Sequence, residues 1–95
     1  MRLTSSKKQQ VLCSCRVTRP GAKLIRRDGL WLAVWHVERD PLVDPSSNVP
    51  HAARWRAQVV SDVDASGGVW WLGGETHAKT RTAALNAAAM EALIS

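Results

Sequence analysis

Between Leu30 and Val37 almost every side chain is apolar. Successive strand residues point to opposite faces, so Trp31, Ala33, Trp35 and Val37 fall on one face and Leu30, Leu32, Val34 and His36 on the other. Two largely apolar faces predict a central strand, covered on both sides. The brief "KLIRRDG" before it ends in Asp28-Gly29, a hairpin-type turn signal. Further on, "ARWRAQVVSD" alternates again. It sets Trp55, Ala57 and Val59 against Arg54, Arg56, Gln58 and Val60. "VDASGG" is a turn, and "VWWLG" is a short strand ended by Gly73-Gly74. Ahead of all these, "VLCSCRVT" alternates apolar and polar with β-branched ends. It reads as a further strand, broken by Arg19-Pro20-Gly21.

The period changes near Thr80. Ala83, Ala87, Met90 and Ile94 follow i, i+4, i+7, i+11, flanked by Leu85, Ala89 and Leu93, which predicts a helix over about 80–94 with Thr80 or Thr82 as its cap. This stripe is expected to face the sheet. Alanine is the best helix former, and its small side chain lets a helix axis approach a sheet closely, with tryptophans filling the remaining space. Trp70 and Trp71 must then diverge, one beneath the helix and one on the opposite face, and the pattern does not say which. Residues 1–10 have little to bury and predict a mobile basic arm. "PLVDPSSNVPH" holds three of the four prolines and predicts a loop over 40–52. The expected architecture is α+β. A three- to four-stranded antiparallel sheet packs on one C-terminal helix, residues 11–95 form a single domain, and a basic N-terminal arm precedes it.

Charge is what turns this architecture toward a function. The 95 residues carry a net charge of +5. Residues 1–27 hold 8 of the 13 bases and no acid, whereas residues 28–95 hold all eight acids and five bases, a balance of 5 − 8 = −3. A cationic first quarter suits a polyanionic partner, with nucleic acid ahead of a membrane surface. A solubilising segment is the plainer account. Cys13 and Cys15 form a C-x-C with no second pair downstream, so two reduced thiols are expected and no metal site. His36, His51 and His77 lack metal-ligand spacing. No nucleophile elbow, phosphate-binding loop or carboxylate pair is present, so neither an enzyme nor a cofactor is expected. No run of apolar residues approaches the ~20 needed to span a bilayer, and no signal-peptide core is found, so a soluble cytoplasmic protein is expected.

The stretch "RWRAQVV…GGVWWLGGETHAKTRTAALNAAA" resembles the second half of the ethylene-response-factor (APETALA-type) DNA-binding domain over residues 54–90. Trp55, Ala57 and Val59 match its W-x-A-x-[IV] strand. Val69 or Trp70, with Trp71, Leu72 and Gly73, matches its V-W-L-G strand end, and Ala83, Ala84, Asn86, Ala88 and Ala89 its Ala-rich helix. The link from Gly73 to Ala83 is two residues longer than the family's, Glu75 or Thr76 stands where an aromatic is usual, and "LWLAVWHV" lacks the family's arginine-rich pattern. The resemblance implies a three-stranded sheet on one helix, inserted into the major groove of DNA by arginines and tryptophans on the exposed strand faces. The same layout occurs in the arm-binding domain of phage-type integrases and in the double-stranded RNA-binding domain.

The candidate nucleic-acid contacts are therefore Arg54, Arg56 and Gln58 on one strand face, with Trp71 beside them, and Lys79 and Arg81 at the start of the helix, where an anion can sit. Lys7, Lys8, Arg16, Arg19, Lys23, Arg26 and Arg27 in the basic segment add phosphate contacts. A solvated sheet face and ordinary surface charge are the competing readings. The function expected is a small nucleic-acid-binding protein of phage or mobile-element type, with DNA favoured over RNA and no membrane partner. The alternative is a protein-interaction module that uses an exposed Trp and the Pro-rich loop.

Overall fold

The first helix forms where a strand and a mobile arm were expected. The computed structural model describes residues 3–38, 49–66 and 68–94. Within them Ser5–Thr18 is an α-helix, α1. Thr4 caps it, its hydroxyl accepting from the Lys7 N–H at 3.2 Å. Val11 and Cys15 are deeply buried on its inner side, as is Leu3 just before it. Val11 and Cys15 are one helical turn apart, a spacing that also leaves them on one face of a strand. The local alternation was therefore ambiguous, and the helix is selected by the cap and by what Val11 and Cys15 pack on: Val60, Val63, Trp31 and Trp71. Burial holds the Cys15 thiol above its ordinary pKa against an opposing pull from the Arg19 cation. Pro20 and Gly21 end the helix, Gly21 taking a φ of 74°.

Four antiparallel strands follow in the order β1-β2-β3-β4: Lys23–Arg27, Leu30–His36, Trp55–Val63 and Val69–Ala78. The first strand is thus "KLIRR" and not "VLCSCRVT". Asp28 and Gly29 have φ of 52° and 78°, the two positive values a two-residue hairpin needs. β2 is interior, as expected, with Leu32 and Val34 buried on one side and Ala33 and Trp35 on the other.

β4 runs five residues past the expected end. Leu72 pairs with Val59 and Thr76 with Ala57, so β4 spends four residues where β3 spends two. The two extra residues form a bulge at Gly73-Gly74, where Gly73 adopts a φ of 78°. A second irregularity sets Asp62 opposite Trp70 and Val60 opposite Trp71. Between β3 and β4 the Asp64 carboxylate accepts from Ser66 N, Ser66 Oγ and Gly68 N at 2.7–2.9 Å. These bonds, that from the Ser66 hydroxyl foremost, hold its carboxyl below the usual pKa. A depressed folded-state pKa contributes stability above the ordinary carboxylate range, and that contribution is lost as pH falls through the folded value. Asp64→Ala is therefore expected to lower the melting temperature at neutral pH, with the gap to the parent closing in acid. Circular dichroism melts across pH check this, and a gap that widens in acid would contradict it.

Arg81–Ile94 forms the second helix, α2, at the expected place. Thr80 caps it, accepting from Ala83 N at 3.1 Å. α2 lies mainly over β3 and β4 and reaches β2. Its buried residues are Ala84, Leu85 and Ala88, packed on Leu32, Val34, Ala57 and Val59. The Thr76 hydroxyl lies 3.1 Å from Ala57 O and 3.0 Å from Ala84 O, where it can donate to either and tie β4 to the helix.

The expected inner stripe of α2 is corrected. Met90 and Ile94 are 66% and 80% exposed, Ala83 is also exposed, and the inner face is rotated from the one read in sequence. A sequence with alanine on nearly every side of the helix does not fix which side turns inward; the strand residues it meets do. The tryptophan assignment changes for the same reason. Leu72, and neither Trp70 nor Trp71, packs with the α2 cluster.

Candidate nucleic-acid interface

The face expected to bind, carrying Arg54, Arg56 and Gln58, is covered. Alternation places Arg56, Gln58 and Val60 on the side of the sheet that α1 covers, together with Trp35 and Trp71. Gln58 is 8% exposed. Its Oε1 accepts from Arg19 Nη2 at 2.6 Å, and its Nε2 donates to Gly73 O at 3.0 Å, the carbonyl that the β4 bulge presents. A buried amide with both ends occupied is a core link, and reading a base edge with it would require breaking both bonds. Arg54 Nε donates to Val49 O at 3.0 Å, and Arg56 Nε to Ala53 O at 3.4 Å. Arg56 also pairs with Glu75 at 3.3 Å, whose carboxylate lies 3.0 Å from His77 Nε2. Both arginines thus fasten the segment 49–53, including the short 3-10 turn His51–Ala53, to the sheet. Residues 40–48 of the expected loop lie outside the described residues.

Arg19 explains why this face is closed. It is the last residue of the α1 cap, and its guanidinium sits 4.0 Å from the Trp71 ring centroid and 5.3 Å from that of Trp35. Each contact is worth about 0.5–2 kcal/mol, more where water is excluded. Trp71 is half-buried beneath this cation and is not a free stacking platform. Trp70 is 62% exposed on the side it shares with Leu72.

The remaining candidate cations fall on a different surface. α1, the turn after it and β1 hold Lys7, Lys8, Arg16, Arg19, Lys23, Arg26 and Arg27, with no acid among residues 3–27. α1 lies across one face of the sheet and reaches the edge strand β1, so the acid-free segment surrounds that edge: Arg26 shares the α1 side with Trp31, and Lys23 and Arg27 share the α2 side with Val34 and Leu30. Arg16, Lys23 and Arg26 are exposed there, and Lys7, Lys8 and Arg27 are half-buried. Lys8 Nζ and the Arg26 guanidinium both lean on Trp31, at 4.6 and 5.8 Å from its centroid. Two like charges on one ring concentrate positive potential and favour an anion that can neutralise both.

The basic edge continues to the start of α2. An open cavity of about 350 Å³ lies at the start of β1, where β2 runs on past it, lined by Lys23, Trp35, His36, Trp55 and Arg81 among others. The His36 and Trp55 rings meet edge to face at 4.9 Å. Lys79 is exposed two residues before Arg81. The structure thus brings Lys23 and Arg81 together, and adds Trp31, His36 and Trp55, which sequence reasoning did not select. Strand alternation located these three rings, but their neighbours depend on α1 and on the sheet edge. No three His, Cys, Asp or Glu side chains converge as a metal site among the described residues, and Cys13 and Cys15 are free thiols. No helix among the described residues is long and apolar enough to cross a membrane.

Comparison with family models, curated proteins and solved structures gives no match. The chain's own chemistry carries the functional argument. Its geometry offers a cationic flank edged by aromatic rings and a cavity with two cations at its rim.

Proposed function

We propose that this protein binds nucleic acid, with duplex DNA the favoured partner, by docking its α1–β1 flank and the start of α2 on the phosphate backbone. The carrying observation is the acid-free run from Lys7 to Arg27, in which Lys8 and Arg26 meet over Trp31 and Lys23 stands with Arg81 at the cavity, while Arg19 is held by Gln58. Lysine and arginine on such a surface gain affinity by displacing condensed counterions, independently of sequence. The rings of Trp55 and His36 at the cavity offer a surface for an adjacent sugar or base. This mode differs from the one the APETALA-type resemblance implied, because Arg54, Arg56 and Gln58 are tied to the protein itself. A cytoplasmic accessory factor, of the kind a phage carries, remains the setting this reading favours.

Binding to random-sequence duplex, followed by fluorescence anisotropy, tests it. About six phosphate contacts predict a fall in affinity of about 10³ between ~50 and 200 mM salt. Arg16→Glu, Lys23→Glu and Arg26→Glu together should abolish binding, whereas Arg54→Ala with Arg56→Ala should leave the salt slope nearly unchanged. Absence of binding at low salt would sink the proposal. Loss of binding only in the Arg54 and Arg56 variant would return the contact to the sheet face. Single strands and duplex RNA serve as comparison ligands.

A further inference from the structure

The outward stripe of α2 has a pattern that specifies a partner. Ala83, Ala87, Met90 and Ile94 recur at i, i+4, i+7 and i+11, which keeps them in one row along the helix. The row faces away from the sheet: Met90 and Ile94 are 66% and 80% exposed, Ala83 is exposed and Ala87 is half-buried. Leu93, 82% exposed, flanks it. The row carries no charge, and exposed side chains of this size on a small domain mark an interaction surface.

The order of sizes along the row is the deciding feature. The small residues lie in the N-terminal half and the large ones in the C-terminal half. When two copies of a helix pair antiparallel about a twofold axis, residues facing each other have numbers with a constant sum. Ala83 with Ile94 and Ala87 with Met90 share the same sum, so a single register sets each large side chain over an alanine of the other copy. That is the self-complementarity an isologous interface requires. The alanines let the axes approach to about 8 Å, at the close end of helix packing.

We infer that the protein forms a symmetric homodimer through antiparallel packing of α2 on α2, with Met90 and Ile94 of each copy seated on Ala87 and Ala83 of the other. The contact spans about three helical turns, or ~17 Å. It is at the small end of specific interfaces, so the dimer is reversible and dependent on concentration. The inference stands on the helix alone and does not require nucleic acid.

Sedimentation velocity over a wide concentration range tests it, with circular dichroism confirming the fold of every variant. The parent should pass from monomer to dimer. Met90→Lys should raise the dimer dissociation constant by at least about tenfold, because it places two charges in an apolar contact. Ala87→Met alone should also weaken the dimer, by setting Met against Met. The double variant Ala87→Met with Met90→Ala exchanges large and small within the same register and should restore it. A parent that stays monomeric overturns the inference and leaves the stripe to a different protein. A dimer indifferent to Met90→Lys overturns it, as does a double variant no better than Ala87→Met alone.

Discussion

Replacing Trp35 by alanine is expected to remove about 3–5 kcal/mol of stability. Trp35 is among the largest fully buried side chains and is 2% exposed. It joins Ala33, Val37 and Val49 with half-buried Leu24, Ala53 and Trp71, so its loss opens a cavity bordered by β1, β2, β4 and the segment before β3. A domain of this size has about 5–15 kcal/mol in total, and the variant should lie close to unfolding at physiological temperature. Trp35→Phe keeps a ring and should lose less. Urea denaturation gives the measurement. A loss below about 1 kcal/mol, the range of ordinary surface substitutions, would mean that Trp35 is not packed as described.

The second large effect is expected at Arg19 and Gln58. Arg19→Met should cost about 2–3 kcal/mol, from a charge-assisted hydrogen bond and the cation–π contacts with Trp71 and Trp35. It leaves Gln58 Oε1 buried and unpaired. Gln58→Leu should be costly for the converse reason, because it strands a half-buried guanidinium whose Nε already has no partner and frees the Gly73 carbonyl. The two together should cost less than the sum of the single changes by about 1 kcal/mol or more. Additive losses would show that the two side chains act independently. Arg19 is also the main tie between the end of α1 and the sheet, so hydrogen exchange in α1 should accelerate in Arg19→Met ahead of global unfolding.

These two predictions locate what the sequence could not show. Gln58 was legible as a residue on the arginine side of β3, and that placement is correct. Whether that side was open depended on α1, a helix whose local pattern also fits a strand. Arg54 and Arg56 looked like a ligand-facing pair because their partners, Val49 O and Ala53 O, are backbone groups of a segment that no side-chain pattern announces. Met90 and Ile94 looked like core because an alanine-rich helix offers more than one apolar face, and choosing between them requires knowing where Leu32, Val34, Ala57 and Val59 present theirs.

The sequence by itself determined the elements whose cause is local. The Asp28-Gly29 turn fixes the first hairpin because its two residues accept positive φ. The double-sided apolar run from Leu30 makes β2 interior. The run of alanines after Thr80 makes α2, with Thr80 or Thr82 offered as its cap and Thr80 taken. The sequence also placed eight cations ahead of every acid. Tertiary structure alone decided which faces those elements turn inward, that the first basic segment is a helix laid on the sheet, and that Lys23 stands beside Arg81. The reason is physical. Turns, caps and periodicity are set by interactions within a few residues. The burial of a face is set by surfaces distant in the chain, and here the distant partners of Arg19 are Gln58 and Trp71.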